Sequence, residues 1–156
     1  MEKKEIILIL HNIRSTHNVG SILRTADGAG VSKVYLVGYT PAPTDKFGRA
    51  NSKIAKVALG AEKSVLWEEV KSISSLLKKL KKEDVQIVAL EQSEDSVDYR
   101  EFKPQWPIAL ILGEETEGIP KAILKQCDAT VEIPMKGDKE SLNVSVATGI
   151  ALFQII

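Results

Sequence analysis

EIILILHNIRSTHNVGSILRTADGAGVSKVYLV, residues 5–37, holds two apolar runs, 6–10 and 34–37, on either side of a segment with helical spacing. Apolar runs this short suit strands covered on both faces, and a helix between two of them makes a βαβ unit of a parallel sheet. The pattern continues outward. VQIVAL (85–90), PIALIL (107–112) and TVEI (130–133) are further strand candidates. The fold class expected is α/β, a parallel sheet flanked by helices. The first helix is expected over 19–29, with Asn18 as N-cap and Gly28 or Gly30 at its end. A second is expected over 68–82, where Val70, Ile73, Leu77 and Leu80 share a stripe and lysines crowd the C-terminal turn. Pro120 opens a short helix over 119–126, and 142–156 is apolar enough that a final helix there needs a close neighbour, a second subunit among the candidates. Residues 39–53 and 134–141 are expected to be loops, and in parallel sheets ligands gather beyond the carboxyl ends of the strands.

The 156 residues fit one domain, 1–156, and 44% hydrophobic with 27% charged residues excludes a disordered or fibrous chain. No apolar run reaches the ~18 residues of a membrane span, and no cleavage site follows the first strand, so a cytoplasmic protein is expected. Cys127 is the only cysteine and His11 and His17 the only histidines, which argues against a disulfide scaffold and a metal site. The formal charge is zero, yet residues 1–60 carry nine Lys/Arg against four Asp/Glu while 61–120 carry eight against thirteen. Lys46, Arg49, Lys53 and Lys56 fall three, four and three residues apart, so a helix would align them along a phosphate backbone. A solvated surface is the plainer alternative for such a stripe.

The nucleotide signatures GxxxxGK[ST] and GxGxxG and the hydrolase elbow GxSxG are absent. Three polar clusters instead follow strands: HNVGSILRTADGAGV (17–31), LGEETEGIP (112–120) and IPMKGDKESLNVSVATG (133–149). In order and spacing they resemble motifs 1, 2 and 3 of the SpoU/TrmH family of RNA ribose 2′-O-methyltransferases, in the SPOUT superfamily. Together they span nearly the whole chain.

The resemblance implies a C-terminal deep trefoil knot, S-adenosyl-L-methionine as cofactor, a homodimer, and tRNA or rRNA as substrate. It is closest to the minimal members, which lack an N-terminal RNA-binding extension. By the same likeness the cofactor site maps to Leu90, Gly113, Ile133, Met135, Ser141 and Leu142. Arg24 is the catalytic arginine, and Asn18, Glu115, Ser141 and Asn143 are the other functional polar positions. Without the likeness these residues have ordinary roles: an N-cap for Asn18 and Ser141, a solvated carboxylate for Glu115, a turn for Gly113, core packing for Ile133 and Leu142. An arginine stays protonated, so Arg24 suits clamping an RNA phosphate and stabilising a developing alkoxide better than removing a proton. The likeness also raises a phosphate-contact role for Lys46, Arg49, Lys53 and Lys56 to equal standing with a solvated surface. Two other readings share the fold: a catalytically silent RNA-binding dimer and a base methyltransferase from another SPOUT branch. The joint presence of Arg24, Glu115, Ser141 and Asn143 counts against the first, and Asn18 to Arg24 with Ser141–Ser145 against the second.

Overall fold

In the computed structural model, which describes residues 4–156, the apolar run 6–10 is an interior strand of the sheet, beside its central one. The elements are β1 (Ile6–His11), α1 (Thr16–Ala29), β2 (Lys33–Val37), α2 (Ser52–Ala58), α3 (Ala61–Ser64), β3 (Trp67–Val70), α4 (Ile73–Lys82), β4 (Gln86–Leu90), β5 (Val97–Asp98), β6 (Ile108–Leu112), α5 (Lys121–Leu124), β7 (Ala129–Glu132) and α6 (Val144–Ile155). The seven strands order as β3-β2-β1-β6-β4-β7-β5, and every pairing is parallel. All six residues of β1 and all five of β6 are buried, as their unbroken apolar runs require. Alternate residues of β1 feed opposite faces. Ile6, Leu8 and Leu10 join the cluster under α1 and α6, while Ile7 and Ile9 join the one under α4.

The path after β4 doubles back. The chain goes to the far edge at β5, returns past β4 to β6, crosses β4 again to β7, and then α6 packs against α1. Right-handed crossovers in simple order would not do this. The loops after β1, β2, β4, β6 and β7 therefore gather on one rim of the sheet, as parallel strands dictate.

Several local expectations change. α1 begins at Thr16, because the Ser15 hydroxyl accepts from Asn18 N at 3.1 Å; Ser15 is the N-cap and Asn18 lies inside the first turn, buried. Gly30, at φ 71°, ends it. The stretch 68–82 splits: residues 67–70 form the edge strand β3 with Glu68 and Glu69 exposed, and the helix starts only after Ser72, whose hydroxyl accepts from Ser75 N. Only Lys53 and Lys56 of the basic stripe lie on a helix; Lys46 and Arg49 sit on the preceding loop, closed by a bridge between Thr44 and Ala50. The cap of α6 is Asn143, not Ser141.

α1 and α2 touch through Gly20. A β-carbon there would lie 2.8 Å from Ile54 O and 2.9 Å from Val57 Cβ, so two helices meet where no side chain fits. Gly20→Ala is expected to destabilise the protein by about 1–3 kcal/mol through overpacking, read from denaturant unfolding; unchanged stability would show that the two helices can part without cost.

Candidate functional site

The rim holds a cleft of about 260 Å³ between the loops after β4, β6 and β7, close to the lower end of the ~300–1,000 Å³ usual for small-molecule sites. Leu90, Gly113, Ile133, Met135, Ser141 and Leu142, from three separate segments, all line it, as do Glu115 and Asn143. Asn18 and Arg24 do not.

Backbone proximity shapes the wall made by residues 113–119. Glu114 and Gly118 form a bridge, and a β-carbon on Gly113 would lie 2.5 Å from Ile119 Cγ1 and 2.7 Å from the Gly118 carbonyl carbon. Only glycine lets the strand end fold onto the returning loop. Glu91 holds the loop from outside: one carboxylate oxygen accepts from Ile119 N at 2.9 Å, the other from Gln92 N at 3.0 Å. Gln92 in turn donates its side-chain amide to Glu140 O at 2.9 Å, tying the 134–141 loop to the end of β4. Glu91 and Gln92 escaped the sequence reading. Their signal was present, two polar residues directly after a buried strand, on the rim where ligands gather.

Asn18, Glu115 and Asn143 meet although 97 and 125 residues separate Asn18 from the other two. The Asn18 side chain donates Nδ2–H to Glu115 Oε1 at 3.4 Å and accepts at Oδ1 from Asn143 Nδ2 at 3.2 Å. Asn143 Oδ1 accepts from Ser145 N and Val146 N, so the same amide caps α6. Glu115 receives two more donors, Ser15 N on Oε1 and Arg14 N on Oε2, each at 3.3 Å. Partial burial pushes the Glu115 carboxyl up, but its own backbone N–H, those of Ser15 and Arg14, and the Asn18 amide outweigh that, and it is held below the usual carboxylate value. Glu115 is thus an anchored anion and a weak proton acceptor.

Arg24 lies six residues beyond Asn18, about 120° around the helix. It is exposed, and no hydrogen bond or ion pair to its side chain is present among the described residues. Its own helix packs against α6, with Thr25 close to Gly149 and Gly28 close to Phe153. α6 buries Thr148, Ala151, Leu152 and Ile155 on that side and leaves Val146, Ile150 and Phe153 exposed on another. A helix apolar all round belongs in an interior.

The basic residues are spread. Lys46, Arg49, Lys53 and Lys56 are all exposed, and Arg49 Nε pairs with Asp45 Oδ2 at 2.7 Å. A second hollow of about 190 Å³, lined by His11, Asn12 and Tyr39, shares Glu114, Glu117 and Gly118 with the main cleft. His11 is buried there with its Nδ1 unpartnered, and burial pushes its imidazole below the ordinary value, so it is neutral at pH 7. Cys127 is half-buried, donates to Ile123 O, and burial first of all pushes its thiol up to about 11; it is no nucleophile at neutral pH. Among the described residues no cluster could hold a metal ion, and no helix is long and apolar enough to cross a membrane.

Comparison with known proteins agrees with this layout. The profile of the SpoU rRNA Methylase family matches residues 5–153. The chain is 37% identical to the 23S rRNA (guanosine-2′-O-)-methyltransferase RlmB of Ralstonia nicotianae, covering 100% of this chain and 60% of that protein. It therefore spans about three fifths of the curated relatives it matches. The crystal structure of the A. aeolicus TrmH/SpoU tRNA modifying enzyme superposes with a TM-score of 0.83 at 34% identity, over 98% of this chain and 74% of that one. The AdoMet-bound rRNA methyltransferase from Sinorhizobium meliloti superposes at 0.86 with 30% identity, over 98% and 56%. The parallel sheet flanked by helices, with its doubled-back path around β4, is the α/β fold that superposes on these structures. With the family profile matched over residues 5–153 and 37% identity to a relative along the whole chain, this chain belongs to the SpoU rRNA Methylase family.

Proposed function

We propose that this chain is a single-domain, cytoplasmic, S-adenosylmethionine-dependent methyltransferase that acts as a homodimer on a ribose 2′-hydroxyl of tRNA or rRNA. One observation carries the reading: Asn18, Glu115 and Asn143, each from a different motif, are joined at the edge of a cleft lined by all six residues expected to hold the cofactor.

The cleft suits such a ligand. Leu90, Ile133, Met135 and Leu142 offer an apolar slot for an adenine, and the close-set 113–118 and 133–142 segments bring main-chain groups to its edge. Glu91, Glu114, Glu115, Glu117 and Glu132 line it with no Lys, Arg or His among the described lining residues, which favours a ligand bearing sulfonium and ammonium charge. When bound, S-adenosylmethionine supplies an electrophilic methyl group on sulfur.

The chain's own residues supply position and charge. The Asn18 amide and the Glu115 anion fix the start of α1, and Asn143 fixes the start of α6, so the cleft wall and the helix bearing Arg24 keep one relative placement. Arg24 holds an RNA phosphate beside the target ribose and stabilises the oxygen as it loses its proton. Glu115 is not the proton acceptor, since the N–H donors on its carboxylate favour the charged form and make it a weak base. The apolar Val146, Ile150 and Phe153 face of α6 meets a second copy, which places the partner beside Arg24.

Incubation with labelled S-adenosylmethionine and separate unmodified tRNA and rRNA pools, followed by nucleoside mass spectrometry, is expected to yield a 2′-O-methylnucleoside in one pool. Arg24→Ala is expected to lower transfer at least about 100-fold with cofactor binding intact. A base-methylated product, or no product with bound cofactor, would overturn the reading. Phe153→Asp is expected to convert dimer to monomer in sedimentation and to abolish transfer; a monomeric wild type would overturn the dimer, and a dimeric, active variant would overturn its placement on this face of α6.

A further inference from the structure

We propose that Tyr39 and Phe47, both on the loop between β2 and α2, are stacking platforms for unpaired bases of the RNA, so that the target is presented as single strand. The inference rests on the RNA methyltransferase reading and adds to it a substrate form and two binding residues.

Aromatic side chains are scarce, three Tyr, three Phe and two Trp in 156 residues, yet Tyr39 is 53% and Phe47 71% exposed. Neither belongs to the apolar face of α6. The residues flanking Phe47 in the chain, Asp45, Lys46, Gly48 and Arg49, are exposed and none is apolar beyond glycine.

Both rings are held out on ordered backbone. The Asp45 carboxylate accepts from Phe47 N and Arg49 N at 2.9 Å each and from Arg49 Nε at 2.7 Å; Asp45 N donates to Arg49 O, and Gly48 turns the chain at φ 78°. Tyr39 N donates to Asn12 Oδ1 at 3.1 Å, and the buried Thr40 beside it accepts from Ile13 N at 3.0 Å. A loop fixed this way pays little entropy on binding.

Each ring carries cations. Lys46 Nζ and Arg49 Cζ both lie 5.1 Å from the Phe47 ring centre, and Arg14 Cζ lies 5.4 Å from that of Tyr39. A base that stacks on either ring in place of an exposed cation leaves that cation, on its long side chain, within reach of the phosphates, the combination that binds single strands without reading sequence. Lys53 and Lys56 extend the positive surface along α2. At the other end Arg14 joins the loop to the proposed catalytic rim: its Nε lies 3.4 Å from the Tyr39 hydroxyl and 3.8 Å from Glu114 Oε1, and its backbone N–H binds Glu115. Tyr39 also walls the hollow that shares Glu114, Glu117 and Gly118 with the main cleft. The loop therefore offers an aromatic and cationic track ending beside the cleft.

Fluorescence anisotropy with unmodified total tRNA, a 20-nucleotide oligoadenylate and a 20-base-pair RNA duplex tests this, with calorimetric binding of S-adenosylmethionine as a parallel readout. Phe47→Ala and Tyr39→Ala are each expected to weaken tRNA and oligoadenylate binding about 5- to 100-fold, the range of a lost base stack, with duplex and cofactor binding unchanged. The slope of affinity against salt should stay as in the wild type, whereas Lys46→Ala should reduce it by about one. Phe47→Trp and Tyr39→Phe should retain binding, and Phe47→Leu should not. Wild-type affinity in either alanine variant overturns the assignment of that ring; equal losses on the duplex, or full binding by Phe47→Leu, overturn stacking. A wild-type chain that binds none of these RNAs while binding cofactor overturns the RNA reading itself, and the platforms with it.

Discussion

The Asn18 side chain is the point on which the arrangement depends. It is a buried amide with one donor and one acceptor committed, to Glu115 and Asn143, so it joins the loop after β6 and the cap of α6 to the first turn of α1. A buried amide left half-satisfied costs about 1–3 kcal/mol, which penalises any arrangement that separates the three segments. Glycine completes what the hydrogen bonds begin. Gly113 lets the 113–119 loop lie against itself and so shapes the cleft wall, and Gly20 lets α2 lie against α1, both through close contacts that larger residues would forbid.

Charge is divided along the rim in a way the net charge of zero conceals. The cleft is acidic, with five glutamates among its lining, while the loop after β2 and the start of α2 are basic. The first suits a small cation and the second a polyanion, and the two surfaces adjoin at Arg14, which touches Glu114 and Tyr39. Glu115 belongs to neither group functionally, because its charge is spent on the N–H groups of Arg14, Ser15 and Asn18. Its position among cleft residues would invite an acid–base role. The hydrogen bonds that hold it low make it an orienting group instead.

Much of the fold was legible because β1, β2, β4, β6 and β7 are apolar runs with no competing period. β3 was not, since Trp67–Val70 is an edge strand with two exposed glutamates, and Val70 fell in phase with the true helix that follows. α2 was hidden by its seven residues and by lysines that read as a stripe. The helix caps were misplaced by a common ambiguity: Ser15 and Asn18, or Ser141 and Asn143, are equally good caps by residue type, and only geometry chooses. The cleft residues were found through motif likeness, because Leu90, Ile133 and Leu142 are indistinguishable from core residues in composition. Glu91 and Gln92 lie outside those motifs, and their contacts across 28 and 48 residues have no local signature.

The most direct test of the account is a double-mutant cycle on cofactor affinity with Asn18→Leu, Asn143→Ala and the pair. Asn18 does not line the cleft, so a local view predicts no effect from changing it. Linkage through the shared amide predicts that Asn18→Leu weakens S-adenosylmethionine binding about tenfold or more and that the second change adds little, with a coupling of about 0.5–3 kcal/mol. Unchanged affinity in Asn18→Leu, or fully additive losses, would show that the three segments assemble the cleft independently.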